Sequence, residues 1–460
     1  MKLAIKNPSQ EKINRLLTLN NKGNFAKLKK EARILIRKYP TSFIIWTLLG
    51  LANISLKNNK DALLAFKKAT ELEPNDHNAF NNLGLAFKDN GFLEDAIKSF
   101  EKSLSLNPKS FQSYYNLGLT YKVQGNLKEA KVAYEKSIKL KPDYHKALSN
   151  LGNILKDLNK FEEAMRVYRK SLTIKPNDAL TYNNIAVLMK KKGEFLSALK
   201  AYDKAISINP RYEKAQAERI MLKSNIADWD FYDETSQQIS LLGISNQSIM
   251  PFSLLASEDS PKRHRLRSEI YAKEKFGKPK FVSAFKPSKK PSLIKIGYFS
   301  SDFKEHPNAY LISKVIRIHD RKVFEVNGYS LGPPKDDFMR EKLIRSFDVF
   351  RDFHDTNNEN IINSVLEDKL DIAIDLTGYT QNSRTEIFSS RLAPIQINYL
   401  GYPGTMGTEF MDYIIADINL IPKDFQKFYS EKPIYLPDQY QAQDDELPIS
   451  NETPTRYELG

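Results

Sequence analysis

The chemistry-bearing residues of this 460-residue chain concentrate in three short segments. The first, Ser301-Asp302-Phe303-Lys304-Glu305-His306-Pro307, offers a carboxylate and an imidazole, side chains suited to accepting or relaying a proton. The second is Thr377-Gly378-Tyr379-Thr380, and the third is Leu400-Gly401-Tyr402-Pro403-Gly404-Thr405. Pro307 suits the first turn of a helix. A helix starting there would aim free N–H groups and the positive end of its dipole at an anionic group such as a phosphate. Gly401 and Gly404 would let the backbone approach a ligand closely. Each feature also has a plain structural reading: Asp302 as a helix cap, His306 as a loop histidine, the glycines as a turn. Chemistry is favoured by their shared location, which depends on the elements that carry them.

Those elements alternate. Leu293–Ser300 reads as a strand, then a helix over Leu311–His319, a strand at Phe324–Ser330 and a helix at Asp337–Phe347. A short strand near Val349–Phe353, a helix at Asn358–Leu370 and strands at Asp371–Leu376, Pro394–Leu400 and Met411–Ala416 follow. Such alternation predicts a parallel sheet with helices on both faces. Ligands of such sheets bind beyond the carboxyl ends of the strands. All three segments follow strands, so they should meet on one rim. The chain has no G-x-G-x-x-G and no phosphate-binding P-loop. The residues alone therefore indicate a nucleotide- or sugar-binding α/β domain.

The first half is a repeat array. Pro40, Pro74, Pro108, Pro142, Pro176 and Pro210 recur every 34 residues, the tetratricopeptide period. Ala62, Ala96, Ala130, Ala164 and Ala198 keep the same phase, as do Phe66, Phe100, Tyr134, Tyr168 and Tyr202. Leu-Gly pairs at 49–50, 83–84, 117–118 and 151–152 mark the first helices. Each unit is expected to be a helix pair, with small residues where the helices cross and aromatics between neighbouring units. Proline ends the second helix. Stacked units form a superhelix with a concave groove, and the degenerate unit near residues 9–42 serves as a cap. Asn82, Asn116, Asn150 and Asn184 also repeat in phase. Amides in a row can hold an extended peptide backbone; the alternative is that they tie helices together. Residues 1–222 are read as the array, 223–290 as a transition helix and linker, and 291–460 as the α/β domain. Lys286-Pro287-Ser288-Lys289-Lys290-Pro291 has linker composition.

There are no cysteines, which excludes disulfides and thiolate chemistry. No apolar run approaches the length of a membrane span, and the first residues do not form a signal peptide. A cytoplasmic protein without membrane partners is expected. The net charge is +14, but the densest basic stretch, Lys262-Arg263-His264-Arg265-Leu266-Arg267, lacks interleaved aromatics. Nucleic acid is not an expected partner.

Ile296-Gly297-Tyr298-Phe299-Ser300-Ser301-Asp302-Phe303 with His306-Pro307 resembles the opening of the catalytic region in O-GlcNAc transferases and SPINDLY-like relatives. Ala393-Pro394-Ile395-Gln396, Leu400–Thr405, Met411–Asp417 and Tyr429-Ser430-Glu431-Lys432 resemble further signatures of that family, in order. Asp228-Trp229-Asp230-Phe231-Tyr232-Asp233 resembles its repeat-to-catalytic transition. The resemblance implies a TPR solenoid followed by the first Rossmann-like lobe of a two-lobed GT-B fold. It implies inverting transfer of a sugar from a nucleotide donor, usually UDP-GlcNAc, to Ser or Thr of proteins, with no metal and no further cofactor. Asp302 and His306 would lie beside the sugar and the acceptor, either one taking or relaying the proton. Pro307, Asn308, Leu400 and Gly401 fall at positions lining the sugar pocket. The repeat groove would hold acceptor proteins through Asn82, Asn116, Asn150 and Asn184. Where the family often has a second histidine this chain has Tyr310, and where relatives carry a histidine at the end of the repeats it has Phe252. The sequence stops where the family's second lobe begins, so a partial enzyme, slow or silent by itself, is expected. The alternative is a repeat scaffold with an inactive lobe.

Overall fold

The computed structural model describes residues 8–228, 238–245, 247–277, 293–446 and 455. Trp229 to Asp233 of the transition sequence and the Lys286–Pro291 linker lie outside them. The chain divides into two compact units, Met1–Glu194 and Phe195–Gly460.

The first unit is a solenoid of paired helices: α1 (Gln10–Asn21), α2 (Phe25–Lys38), α3 (Phe43–Ser55), α4 (Asn59–Leu72), α5 (His77–Asp89), α6 (Leu93–Leu106), α7 (Phe111–Gln124), α8 (Leu127–Leu140), α9 (His145–Asp157), α10 (Phe161–Ile174) and α11 (Ala179–Lys191). The second helices α2, α4, α6, α8 and α10 each stop two residues before a phase-keeping proline, whose ring disfavours a helical residue before it. The in-phase alanines are fully buried. The aromatics depart from expectation. Phe66, Phe100, Tyr134 and Tyr168 lie on the glycine of their own repeat: a Cβ on Gly50, Gly84, Gly118 or Gly152 would come within 2.4 to 2.8 Å of the ring. A glycine sixteen residues upstream opens the slot that each ring fills. The rings also reach the next unit, Phe66 joining Leu83 and Ala86. They therefore lock the helix pair first and the stack second.

The second unit opens with α12 (Phe195–Ile208) and α13 (Glu213–Asn225). By compactness this last helix pair belongs with the sheet. Ala217 and Ile220 of α13 share a cluster with Ile239, Leu242, Ile249 and Leu254. The buried Glu213 carboxylate accepts the Gly243 N–H at 2.7 Å and the Ser245 hydroxyl at 2.9 Å. A 3₁₀ turn at Pro251–Leu254 leads to α14 (Pro261–Phe276), the one helix expected in this region.

Seven parallel strands follow: β1 (Ile294–Ser300), β2 (Phe324–Ser330), β3 (Val349–Asp352), β4 (Ile372–Asp375), β5 (Ile395–Asn398), β6 (Tyr413–Ala416) and β7 (Lys432–Tyr435), in sheet order β3-β2-β1-β4-β5-β6-β7. The sequence reading missed β7, whose Pro433 and alternating exposure belong to an edge strand. α15 (Pro307–Ile318), α16 (Phe338–Ser346) and α17 (Asn358–Asp368) make the first three crossovers. Alternation along the strands divides the core. Ile296, Tyr298, Val326 and Ile374 face α15 and α16. Phe299, Tyr329 and Ala373 face α17, a 3₁₀ turn at Thr385–Ser390, and Tyr271 and Phe276 of α14. The unit is a Rossmann-like lobe, and its strand order reverses between β1 and β4, where a crevice opens at the carboxyl ends.

Candidate functional site

The crevice between β1 and β4 is where the three segments meet. The chain leaving β1 turns at Ser301, whose N–H donates to Thr377 Oγ1 beyond β4 at 3.1 Å. A Cβ on Gly401, beyond β5, would sit 2.3 Å from Leu376 O and 2.8 Å from Asn308 Nδ2. Asp302, His306, Asn308, Leu400 and Gly401 are thus brought to one rim, with Pro307 exposed at its edge. Gly404 serves packing, since the Tyr402 ring occupies the space its side chain would need. Gly401→Ala should cost about 1–3 kcal/mol, because backbone rather than a movable side chain must yield; chemical denaturation measures it.

His306 caps α15. Its Nδ1 accepts the Asn308 N–H at 3.2 Å. The Ala309 and Tyr310 N–H groups go to His306 O, and Pro307 has none to give. The expected free N–H groups at this helix start are therefore occupied, and only the dipole and side chains remain for an anion. The cap also settles the neutral tautomer: with its Nδ1 lone pair engaged, the ring holds its proton on Nε2. Asp302 is not a cap. Its carboxylate is mostly buried, with 11% of the side chain exposed, and lies 3.9 Å from His306 Nδ1. Among the described residues no donor bonds it, whereas the neighbouring buried carboxylates all hold loop backbone.

Two of these carry no role in the sequence reading, although Glu431 lies within the Tyr429–Lys432 signature. Asp375, the last residue of β4, accepts N–H bonds from Thr377 (2.9 Å) and Gly378 (3.0 Å) and the Thr385 hydroxyl at 2.8 Å. Burial pushes its carboxyl up against those bonds. Glu431 accepts the Thr405 hydroxyl at 2.7 Å and the Met406 N–H at 2.6 Å, and burial raises it too. The available signal was a lone acid ending the apolar run Ile372-Ala373-Ile374-Asp375. Leu400, singled out by the resemblance, holds a left-handed φ of +73° that its residue type does not announce. Strain of this kind concentrates at functional sites. Phe252 packs against the core beside Tyr402.

The asparagine series links successive repeats. Asn116 Nδ2 donates to Asn81 Oδ1 (2.9 Å), Asn150 Nδ2 to the Tyr115 hydroxyl (3.1 Å) and Asn184 Nδ2 to Ser149 Oγ (3.3 Å). The partner lies 35 residues upstream each time, in the preceding first helix. Among the described residues no such bond is found for Asn82, half-buried on α5. The basic stretch is absorbed internally. Arg263 and Arg267 pair with Glu258, and Arg265 bonds Glu269 and Lys427 O.

Among the described residues no helix is long and apolar enough to cross a membrane. The chain matches Glycosyl transferase family 41 over residues 268–449 and tetratricopeptide repeat families over segments between residues 44 and 212. It is 31% identical over 229 residues to a probable UDP-N-acetylglucosamine–peptide N-acetylglucosaminyltransferase, SEC, of Arabidopsis thaliana, covering 46% of this chain and 23% of that protein. To the UDP-N-acetylglucosamine–peptide N-acetylglucosaminyltransferase of Caenorhabditis elegans it is 39% identical over 145 residues, 31% of this chain and 13% of that protein. It thus spans about a quarter or less of the length of these relatives. Among solved structures, a Thermobaculum terrenum O-GlcNAc transferase mutant aligns with a TM-score of 0.47 at 21% identity, over 72% of this chain and 58% of that one. The chain thus carries a Glycosyl transferase family 41 region, over residues 268–449, behind tetratricopeptide repeats, and is similar to UDP-N-acetylglucosamine–peptide N-acetylglucosaminyltransferases.

Proposed function

We propose that the second unit supplies one side of a protein glycosyltransferase site that moves N-acetylglucosamine from UDP-N-acetylglucosamine to Ser or Thr hydroxyls. The observation that carries this reading is the meeting of Asp302, His306 and the Leu400–Gly401 turn at the β1/β4 crevice. The names of the relatives support the donor and the polypeptide acceptor. The acceptor oxygen attacks the anomeric carbon, the bond to the diphosphate breaks with its electron pair, and the hydroxyl proton passes to the Asp302 carboxylate. His306, with its proton on Nε2, donates a hydrogen bond at the same corner. Pro307, Asn308, Leu400 and Gly401 line the sugar. The first helices of the repeats, with Asn82, Asn116, Asn150 and Asn184, hold the acceptor chain. In the last three, the amide oxygen is left to meet a peptide N–H.

The test uses the protein from the whole reading frame that contains residues 1–460. Labelled UDP-N-acetylglucosamine and a mixture of unfolded protein acceptors should yield label on Ser or Thr that survives mild acid and is removed by β-elimination. Label from a different nucleotide sugar alone would overturn the donor, and no label from any would overturn the reading.

A further inference from the structure

The repeat groove carries a second periodic feature besides its amides. Lys88, Lys122, Lys156 and Lys190 recur every 34 residues in the last turns of α5, α7, α9 and α11, and all four are half-buried. Each stands seven residues after Asn81, Tyr115, Ser149 and Asn183 respectively. Seven residues is two helical turns, so lysine and partner share a helix face. Asn81, Tyr115 and Ser149 are the residues that receive the asparagine amides of the next repeat. The first helices also pack on one another, α5 with α7 and α9 with α11, which puts them on the inner curve of the stack. The lysines therefore form a column along the groove, parallel to the amides.

Glutamates are segregated from this face. Glu94, Glu101, Glu129, Glu135, Glu162 and Glu163 all lie on second helices. The four first helices contain no glutamate, and their only aspartates, Asp89 and Asp157, close α5 and α9 beside Lys88 and Lys156 at 2.7 Å. Lys191 adds a further cation at the α11 end, where burial and then the Lys156 charge hold its ammonium below the usual range.

We infer that this groove takes an extended polypeptide bearing carboxylates at every third residue. The spacing follows from geometry. Stacked helices lie about 8–10 Å apart, and an extended chain advances about 3.3 Å per residue, so acids three residues apart meet successive lysines. The inference rests on the groove being the acceptor-binding surface and names the class of chain it prefers.

Fluorescence anisotropy on the full chain tests it with a labelled fifteen-residue peptide repeating Glu-Ser-Ser and its Gln-Ser-Ser counterpart. Exposed pairs contribute weakly, about twofold each, so the acidic peptide should bind about tenfold tighter at low salt, with the gap closing near 0.5 M as charges are screened. Replacing all four lysines by glutamine should bring the two peptides to parity and leave the neutral one unchanged. Should that variant unfold, the pair Lys122→Gln and Lys190→Gln should still narrow the gap about threefold. Asn116→Ala with Asn150→Ala should weaken both peptides alike. Parity in the wild-type protein would overturn the charge preference while leaving the groove as a peptide site. A peptide with its five glutamates clustered binding as well as the spaced one, or an oligothymidylate of equal length binding more tightly than the acidic peptide, would also overturn it. Failure of both peptides to bind would remove the groove reading along with this inference.

Discussion

Asp302→Asn should lower kcat for sugar transfer by about 10²–10⁴-fold, the range for loss of a positioned proton acceptor, with KM and thermal stability little changed. The expectation comes from what the carboxylate does not do. Asp375 holds two backbone N–H groups and a hydroxyl, and Glu431 holds one of each. Removing either charge would loosen a loop and confuse structure with chemistry. Asp302 holds no backbone, and the His306 Nδ1 lies 3.9 Å from its carboxylate. An isosteric amide therefore deletes a charge and little else. His306→Asn is the companion variant, because asparagine can replace the cap at the start of α15 while removing the ring. If Asp302 takes the proton, the aspartate variant loses more in kcat than the histidine variant. A kcat within tenfold of wild type for Asp302→Asn would sink the assignment.

The parts of this molecule legible in sequence are those where one residue type answers one local demand. Prolines every 34 residues could only be repeat punctuation, and alternating apolar runs gave most strands within a residue or two. β7 escaped because an edge strand has no buried face to write an apolar pattern. The helix beginning at Pro307 shows its apolar pattern only from Leu311, since its first turn is polar and exposed on one side, and Pro307 alone marks its start. The site was half legible. Asp302 and His306 stand out by type, but that His306 rather than Asp302 is the cap depends on backbone direction after β1. Gly401 reads as a point of close approach, yet the group approaching is the carbonyl of Leu376, about 80 Å of extended chain away in sequence by the usual rise per residue. Non-local contacts of this kind leave no local trace. The asparagine series shows the same limit: its period was evident, but its donors go to the preceding repeat, a fact set by the stack.

Arg267 carries the second large effect. Lying in the densest basic stretch, it looks in sequence like surface charge, but it is fully buried. Its guanidinium donates to Leu242 O and Ile239 O at 2.7 Å each and to the Glu258 carboxylate at 2.5 Å. One fork thus fastens the segment after α13 to α14, and α14 in turn lays Tyr271 and Phe276 against the sheet core. Arg267→Ala leaves Glu258 buried with only Arg263 and strands the Leu242 carbonyl, while Ile239 O keeps the Leu242 N–H at 3.3 Å. Breaking a buried pair from one side costs about 3–5 kcal/mol, and the orphaned Leu242 carbonyl adds to it. Arg267→Lys should recover only a minority of the loss, because a single ammonium cannot serve three acceptors held in a planar fork. Removing both charges, as Arg267→Met with Glu258→Gln, should restore more than the lysine does, since no unpaired ion is then left inside. Urea unfolding of the four proteins, followed by the near-ultraviolet signal of the tyrosines around Tyr271, orders them. A loss below about 1 kcal/mol for Arg267→Ala would mean that water reaches Glu258 and that α14 is held by its apolar face alone.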